Sequence, residues 1–197
     1  GIESMFDLRG RTALVTGAAG SLGSAIASVY AEAGADLLLV DIDAQGLAQM
    51  AETLSRPGRK VRTLAGDIGD VAQIDAAFAL LDREFGRIDV LMNVAGPARL
   101  GKPEEIALED VALTLHNIAT ARFHCCQQAG RRMLAAGRGS IISIGSVTGI
   151  TANGRSHLPY GMAMAAVAHM TRELSTEWSG RGVRVNAIIC GQITNKR

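Results

Sequence analysis

Cysteines, prolines and aromatic residues are scarce in this 197-residue sequence, and its charges nearly cancel. The 3 cysteines and 4 histidines form no C-x-x-C pair and no spaced ligand set, so neither a disulfide framework nor a metal site is predicted. A formal net charge of +1 gives no reason to expect nucleic acid or an anionic membrane as a partner. No apolar run approaches the roughly 18 residues of a membrane-spanning helix. These absences argue against a disulfide-rich, a nucleic-acid-binding and a membrane protein.

The N-terminus lacks the basic-then-apolar pattern of a secretory signal, so a cytoplasmic location is expected. Residues 1–5 are either an added segment ahead of the natural start or part of the natural chain, and the sequence leaves both open. With 48% hydrophobic residues the chain can bury a full core, and we expect residues 1–197 to form one domain.

A glycine-rich turn separates an apolar strand from an apolar-faced helix near the start of the chain. The turn reads T-G-A-A-G-S-L-G over Thr16–Gly23. Gly17, Gly20 and Gly23 remove Cβ atoms where the turn is tight, where a ligand approaches and where the helix packs on the strand. The unpaired N–H groups and positive dipole of a helix N-terminus suit a pyrophosphate. The turn therefore predicts a dinucleotide site, and the alternative is a purely structural turn.

The helix and strand after this turn complete a βαβ unit. Leu22, Ile26, Val29 and Ala33 share one predicted stripe of the helix, facing the sheet. Asp41 ends the second strand, where a carboxylate accepts hydrogen bonds from the adenosine ribose. Because a carboxylate also repels a 2′-phosphate, the predicted cofactor is NAD rather than NADP.

Strands and helices alternate along the rest of the chain. Further strands are predicted over 61–65, 88–92, 140–144 and 183–189, and helices over 44–54, 74–85, 107–136 and 159–179. This alternation predicts one doubly wound parallel α/β sheet, a Rossmann fold with helices on both faces. Ligands then bind beyond the carboxyl ends of the strands, where Gly17, Asp41, Asp67, Asn93 and Ser146 lie.

From Phe6 onward, these motifs in this order resemble the classical short-chain dehydrogenase/reductase family. The family turn T-G-x-x-x-G-x-G is matched with Ser21 at its middle glycine, and the family N-N-A-G begins here at Asn93 with its second Asn replaced. Asp67 matches an aspartate associated with the adenine ring. The resemblance implies NAD contacts from Thr16, Gly17, Gly20, Ser21, Leu22, Gly23, Asp41, Asp67, Ile68, Asn93, Ala95, Gly96, Tyr160, Gly191 and Ile193.

The resemblance also implies hydride transfer between NAD and a small alcohol or ketone. Ser146 would hydrogen-bond the substrate oxygen, Tyr160 would exchange its proton, and Asn117 would hold a water or a backbone segment. The family has Lys four residues after the Tyr, whereas this chain has Met164. A thioether cannot supply the positive charge that favours a phenolate. The alternative is therefore an NAD-binding pseudoenzyme or sensor with impaired turnover.

The end of the sequence departs further from the family pattern. The family Pro-Gly after the sixth strand is Cys190-Gly191 here, and an expected Thr is Asn195, although Thr194 lies beside it. The sequence stops before the helix and seventh strand that complete the family fold. The C-terminal end of the fold is therefore expected to be missing.

The two long helices carry more apolar residues than one buried stripe needs. In the second of them, Met162, Val167 and Met170 accompany the polar His169 and Arg172. Surplus apolar helix surface suggests a subunit interface, and the resemblance implies a symmetric dimer or tetramer packed through these helices.

Overall fold

Six strands form one parallel sheet in a computed structural model that describes residues 5–193. The strands are β1 (Thr12–Thr16), β2 (Asp36–Asp41), β3 (Val61–Ala65), β4 (Val90–Asn93), β5 (Gly139–Ser146) and β6 (Val183–Cys190). Their order across the sheet is β3-β2-β1-β4-β5-β6. The chain winds outward in both directions from the boundary of β1 and β4, which leaves a crevice above the carboxyl ends of these two strands. The predicted doubly wound sheet is confirmed.

Helices cover both faces of this sheet. They are α1 (Ser21–Glu32), α2 (Ala44–Leu54), α3 (Val71–Phe85), α4 (Leu108–Leu115), α5 (Ala121–Ala136) and α6 (Leu158–Trp178). Alternate residues of β2 point into two cores: Leu38 packs with α3 and α5, whereas Leu37 and Leu39 pack with α1 and α2. This burial on both sides explains why the strand is a continuous apolar run. Within residues 5–193, none of the helices has the length and apolar composition that a bilayer crossing requires.

The predicted stripe of α1 needs correction. Gly23, Ala27 and Ala31 are the buried residues of this helix, and Val29 is 60% exposed. Leu22 and Ile26 are only partly buried, on the flank of the core. Small residues face the sheet because they allow the helix to lie close to it, and close packing brings the helix N-terminus next to the glycine-rich turn.

The long helix predicted over 107–136 is also interrupted. A π-helical turn spans His116–Thr120 between α4 and α5. Such a turn accommodates one extra residue and changes the face that the following side chains present. A Cβ placed on Gly96 would lie 2.9 Å from Ile118 and 3.4 Å from the Asn117 carbonyl, so the π turn packs directly against the end of β4.

Candidate active site

A cleft of about 370 Å³ lies at the switch point between β1 and β4. Ten of the residues expected to contact a dinucleotide line it, namely Gly17, Gly20, Ser21, Leu22, Gly23, Asp41, Asp67, Ile68, Ala95 and Gly96. The fold therefore brings together residues that are far apart in the sequence. Gly17 and Gly96, for example, are 79 positions apart (96 − 17).

The three glycines of the turn differ in what surrounds them. Gly17 has a φ of +66°, and a Cβ there would lie 2.9 Å from the Ala95 nitrogen. A Cβ on Gly23 would lie 1.9 Å from the Gly17 carbonyl oxygen, so this glycine serves the turn itself rather than contact with a strand. A Cβ on Gly20 would have no protein atom nearer than 3.4 Å. The space at Gly20 is open on the cleft side, as the approach of a pyrophosphate requires.

Asp41 is held against this turn by two backbone amides. Its Oδ2 accepts a hydrogen bond from the Ala19 N–H at 3.0 Å, and its Oδ1 accepts one from the Asp43 N–H at 3.0 Å. The carboxylate therefore has a fixed orientation on the wall of the cleft. A fixed negative charge at this place is suited to ribose hydroxyls and unsuited to a phosphate.

The segment after β3 forms the adjoining wall. Asp67 accepts a hydrogen bond from the Gly69 N–H at 2.8 Å, and its own N–H donates to Gln73 at 2.6 Å. Asp67 is exposed to the cleft and Ile68 is buried. The loop thus presents one polar and one apolar side chain in a fixed arrangement. This pair suits an adenine, whose edge forms hydrogen bonds and whose face makes apolar contacts.

Two residues of the predicted set do not present their side chains to the cleft. Thr16 is buried, and its Oγ1 accepts hydrogen bonds from the Val94 N–H at 3.1 Å and the Ala95 N–H at 3.3 Å. Asn93 is fully buried, and its Nδ2 lies 3.3 Å from the Ser143 Oγ. Both side chains tie neighbouring strands together, and they shape the cleft through the backbone.

The turn that follows Ser146 packs tightly on the helix that carries Tyr160. After β5, a 3₁₀ turn over Val147–Gly149 lies on α6: a Cβ on Gly149 would be 2.6 Å from the Met164 carbonyl carbon, and one on Gly161 would be 3.0 Å from the Thr148 oxygen. The Ser146 Oγ accepts a hydrogen bond from Thr148 Oγ1 at 2.8 Å. Tyr160 is half-buried beside this contact.

Met164 and Asn117 occupy places that limit their chemistry. Met164 is 3% exposed in an apolar cluster with Ile118 and Val167, against which Tyr160 packs. Val167 is thus a core residue, which corrects its assignment to a surface interface. The Asn117 side chain points toward the adenine wall, since a Cβ on Gly69 would lie 2.8 Å from its Oδ1. The Asn117 backbone carbonyl oxygen faces Gly96 instead, 3.4 Å from a Cβ placed there.

The remaining predicted residues lie after β6. Gly191 and Ile193 are exposed, and no atom lies within 4 Å of a Cβ placed on Gly191. Thr194 and Asn195 lie outside the described residues. In the described part of the chain, no three side chains of His, Cys, Asp or Glu gather as metal ligands.

A second cavity, of about 490 Å³, lies between α6 and the loop that follows the 3₁₀ turn. Neither Ser146 nor Tyr160 borders it, and its polar lining comes from Thr148, Thr151, Asn153, Arg155, Ser156 and His157. This cavity is larger than the switch-point cleft, and it adjoins two motif residues, because Thr148 donates a hydrogen bond to Ser146 and Gly161 follows Tyr160.

Arg122 on α5 is a site residue that the sequence did not reveal. It is 1% exposed, and its guanidinium donates hydrogen bonds to the carbonyls of Ala95, Val94 and Ile144. Burial lowers its pKa to about 10, against the opposing influence of the Tyr160 phenol and the thiols of Cys126 and Cys125. Helical spacing could have indicated that Arg122 is buried, because this arginine follows the buried Ile118 by four positions.

Comparison with known proteins places these features in context. A family model described as short chain dehydrogenase matches residues 11–196. D-threitol dehydrogenase from Mycolicibacterium smegmatis is 43% identical over 187 residues, which are 95% of this chain and 72% of that protein. The NAD-dependent glycerol dehydrogenase of Listeria innocua is 32% identical over 188 residues, with 95% and 72% covered. The structure of an NAD⁺-bound xylitol dehydrogenase superposes with a TM-score of 0.90 at 26% identity, covering 96% of this chain and 73% of the other.

Proposed function

This chain belongs to the short-chain dehydrogenase family, and from that premise we propose that it catalyses the reversible NAD-dependent oxidation of a small polyol to a ketone. The single observation that carries the choice of NAD is the Asp41 carboxylate, which two backbone amides fix on the wall of the cleft. The polyol class is supported by relatives whose names specify threitol and glycerol as substrates.

The residues of the cleft fit a dinucleotide. The turn from Gly17 would receive the pyrophosphate at the N-terminus of α1, where Gly20 leaves space and backbone N–H groups lack partners. Asp41 would accept hydrogen bonds from the adenosine ribose, and Asp67 and Ile68 would flank the adenine. Bound NAD would accept the hydride that leaves the alcohol carbon.

Two side chains would carry the proton chemistry. Ser146 would donate a hydrogen bond to the substrate oxygen and hold the alcohol in place. Tyr160, ionised, would take the hydroxyl proton as the hydride departs, and in the reverse direction it would return that proton to the ketone oxygen. The Asn117 carbonyl, which faces Gly96, is the group of that residue available to hold a water.

The alternative is an NAD-binding protein with poor turnover. Buried Met164 favours it, because the family lysine at this position would stabilise the phenolate and a thioether does not. Both functions require NAD binding, so only a measurement of chemistry separates them.

The deciding experiment combines NADH binding with a polyol panel that contains threitol, glycerol and xylitol. We expect Tyr160→Phe to lower kcat by about 10²- to 10⁴-fold while the Kd for NADH stays unchanged, because the phenol acts in the chemical step. Tyr30→Phe changes the other tyrosine of the chain and is the matched control, with kcat unaffected. Binding of NADH without turnover of any polyol would favour the alternative, and absence of NADH binding would overturn both.

A further inference from the structure

A charged cavity lies at the end of the sheet opposite the cleft, where β1, β4, β5 and β6 begin. This amino-end cavity has a volume of about 310 Å³. Its charged lining consists of two acids and three arginines, namely Asp7, Asp89, Arg11, Arg138 and Arg184. The 8 residues of β5 separate it from Ser146 by roughly 23 Å, at about 3.3 Å per residue step. The proposed reaction makes no use of this cavity.

Both carboxylates of the lining already have an arginine partner outside it. Arg87 donates to the two oxygens of Asp89, from Nη2 at 2.6 Å and from Nε at 2.8 Å. Arg9 donates in the same way to Asp7, from Nη2 at 2.6 Å and from Nε at 3.0 Å. One guanidinium therefore balances each carboxylate, and the positive charges of the three lining arginines are in excess.

The three lining arginines have few protein acceptors. Arg11 donates one hydrogen bond to Asp89, at 3.2 Å. The Nε of Arg138 lies 3.9 Å from the same carboxylate, which is too far for a hydrogen bond. Arg184 takes part in none of the ion pairs found within residues 5–193. Since a guanidinium has five N–H donors, most donors of these side chains have no partner in the described part of the chain.

A row of paired residues on three strands borders the cavity. Val90 of β4 pairs with Ser140 of β5, and Ser140 pairs with Arg184 of β6. Paired residues of adjacent parallel strands point to the same face, with the strands about 4.8 Å apart. Ser140 is 8% exposed, and its hydroxyl forms no hydrogen bond with another residue of the range 5–193. This hydroxyl is thus an unused donor beside the arginine of β6.

We propose that the amino-end cavity binds a small anion that carries a phosphate group, either a free diphosphate or a phosphate ester. Arginine forks match the tetrahedral oxygens of a phosphate and bind them through charge-assisted hydrogen bonds. The volume lies at the lower end of the range for small-molecule pockets, about 300–1,000 Å³, so the anion is compact. This inference does not depend on the proposed function.

An anion in this cavity would relieve repulsion among the arginines. Arg11 and Arg138 both approach the Oδ1 of Asp89, which Arg87 already holds at 2.6 Å. Three cations that share one oxygen repel one another more than a single carboxylate compensates. A phosphate group would give the lining arginines and the Ser140 hydroxyl acceptors of their own. A diphosphate suits the site better than a dicarboxylate because it concentrates more negative charge in a smaller volume.

The first test is calorimetric titration with pyrophosphate, inorganic phosphate and methyl phosphate. Saturating NADH is present so that the glycine-rich turn is filled and unable to bind the probes. We expect pyrophosphate to bind with a Kd below about 1 mM, and the affinity to fall as the salt concentration rises. Tighter binding of pyrophosphate than of methyl phosphate identifies a free diphosphate as the ligand, and the reverse order identifies a phosphate ester.

The second test locates the site with substitutions at exposed arginines, which the fold tolerates. Arg138→Gln and Arg184→Gln should each weaken binding of the tighter probe by about tenfold, because each removes a charge-assisted hydrogen bond. Ser140→Ala should weaken it by about threefold. Arg131→Gln changes an exposed arginine of α5 that does not border the cavity, and it is the matched control with an unchanged Kd. Circular dichroism reports whether each variant is folded.

The outcomes separate this inference from the proposed function. If none of the three probes binds the parent chain at about 10 mM, the inference is overturned. Equal affinities in the parent chain, Arg138→Gln and Arg184→Gln overturn it as well, and succinate that binds as tightly as the best probe overturns the choice of a phosphate group. In a parent chain that binds no NADH, the same titrations without NADH still decide the inference, because only the amino-end cavity depends on these two arginines.

Discussion

At the scale of single residues, we expect the charge of Asp41 to select between two cofactors. Its two backbone hydrogen bonds leave the carboxylate no freedom to turn away from a 2′-phosphate in the cleft. No Lys or Arg occupies the turn over Ala18–Leu22 to neutralise such a phosphate. The proposed preference for NAD therefore depends on one negative charge.

Asp41→Asn keeps the shape of this side chain and removes its charge. We expect the ratio of the Kd for NADPH to that for NADH to fall by about tenfold, because the repulsion of the 2′-phosphate is lost. Fluorescence titration with both reduced cofactors measures this ratio. Asp70→Asn changes an acidic helix cap outside the cleft and should leave the ratio unaltered. Equal affinities in the unmutated chain would contradict the NAD assignment.

Residues whose role follows from local sequence were the predictable ones. Gly17, Gly23 and Asp41 are set by a turn and a strand end, and all three line the cleft. Arg122 and the direction of Asn117 depend on how α5 meets the ends of β4 and β5, which involves contacts between distant segments. A buried arginine in an apolar stripe resembles a surface residue until the tertiary structure is known.

At the scale of elements, the glycine-rich turn divides into positions required by the fold and a position left for the ligand. Gly23 has no room for a Cβ because the Gly17 carbonyl occupies that space, whereas Gly20 has ordinary backbone angles and open space. A larger residue at Gly23 should therefore lower the stability of the fold, whereas a larger residue at Gly20 should mainly weaken ligand binding.

Gly23→Ala should lower the free energy of unfolding by about 1–3 kcal/mol, because the added methyl overlaps backbone atoms. Gly20→Ala should change it by less than about 1 kcal/mol and weaken NADH binding by about tenfold or more, because the methyl projects toward the pyrophosphate. Thermal unfolding and NADH titration of the two variants provide the comparison. If Gly20→Ala binds NADH as tightly as the parent chain, the pyrophosphate does not approach this turn.

The elements themselves were largely predictable, and their interruptions were not. Apolar runs and helical periodicity located all six strands and the main helices within a few residues. The π turn over His116–Thr120 has no such signature, because one extra residue in a helix alters the periodicity less than the scatter of side-chain types does. Asn117 lies within this turn, with its side chain near Gly69 and its carbonyl near Gly96.

At the scale of the whole molecule, exposed apolar side chains on α5 and α6 favour self-association. Phe123 and Met162 are each 43% exposed, one on each helix. We expect light scattering at micromolar concentration to give a dimer or tetramer, and Phe123→Glu together with Met162→Glu to reduce its mass. Val29→Glu adds the same charge at an exposed position of α1 and is the matched control. A monomeric parent chain would contradict the predicted interface.

A buried carboxylate at the amino-terminal ends of the strands, away from the cleft, makes the stability of the fold depend on pH. Asp89 accepts hydrogen bonds from Arg87, from the Thr12 N–H at 2.9 Å and from Arg11, and so joins the beginnings of β1 and β4. Burial acts to raise its pKa, but these hydrogen bonds outweigh burial and hold the pKa below its ordinary value. The stabilisation is therefore fully present above the unfolded-state value of about 3.9 and is lost as the pH falls through the lower folded-state value.

Asp89→Asn should lower the Tm at pH 7, because the partly exposed Arg11 and Arg87 lose their buried charged partner. The difference in Tm from the parent chain should narrow as the pH is lowered from about 4, where the parent carboxylate begins to take up a proton and loses the same interaction. Calorimetry at a series of pH values measures both curves. Asp75→Asn removes an exposed carboxylate that pairs with His124, and it should cost little at any pH because exposed ion pairs contribute little. A constant difference for Asp89→Asn between pH 7 and 2 would mean that the side chain acts through its shape, and that its charge adds nothing to the stability of the sheet.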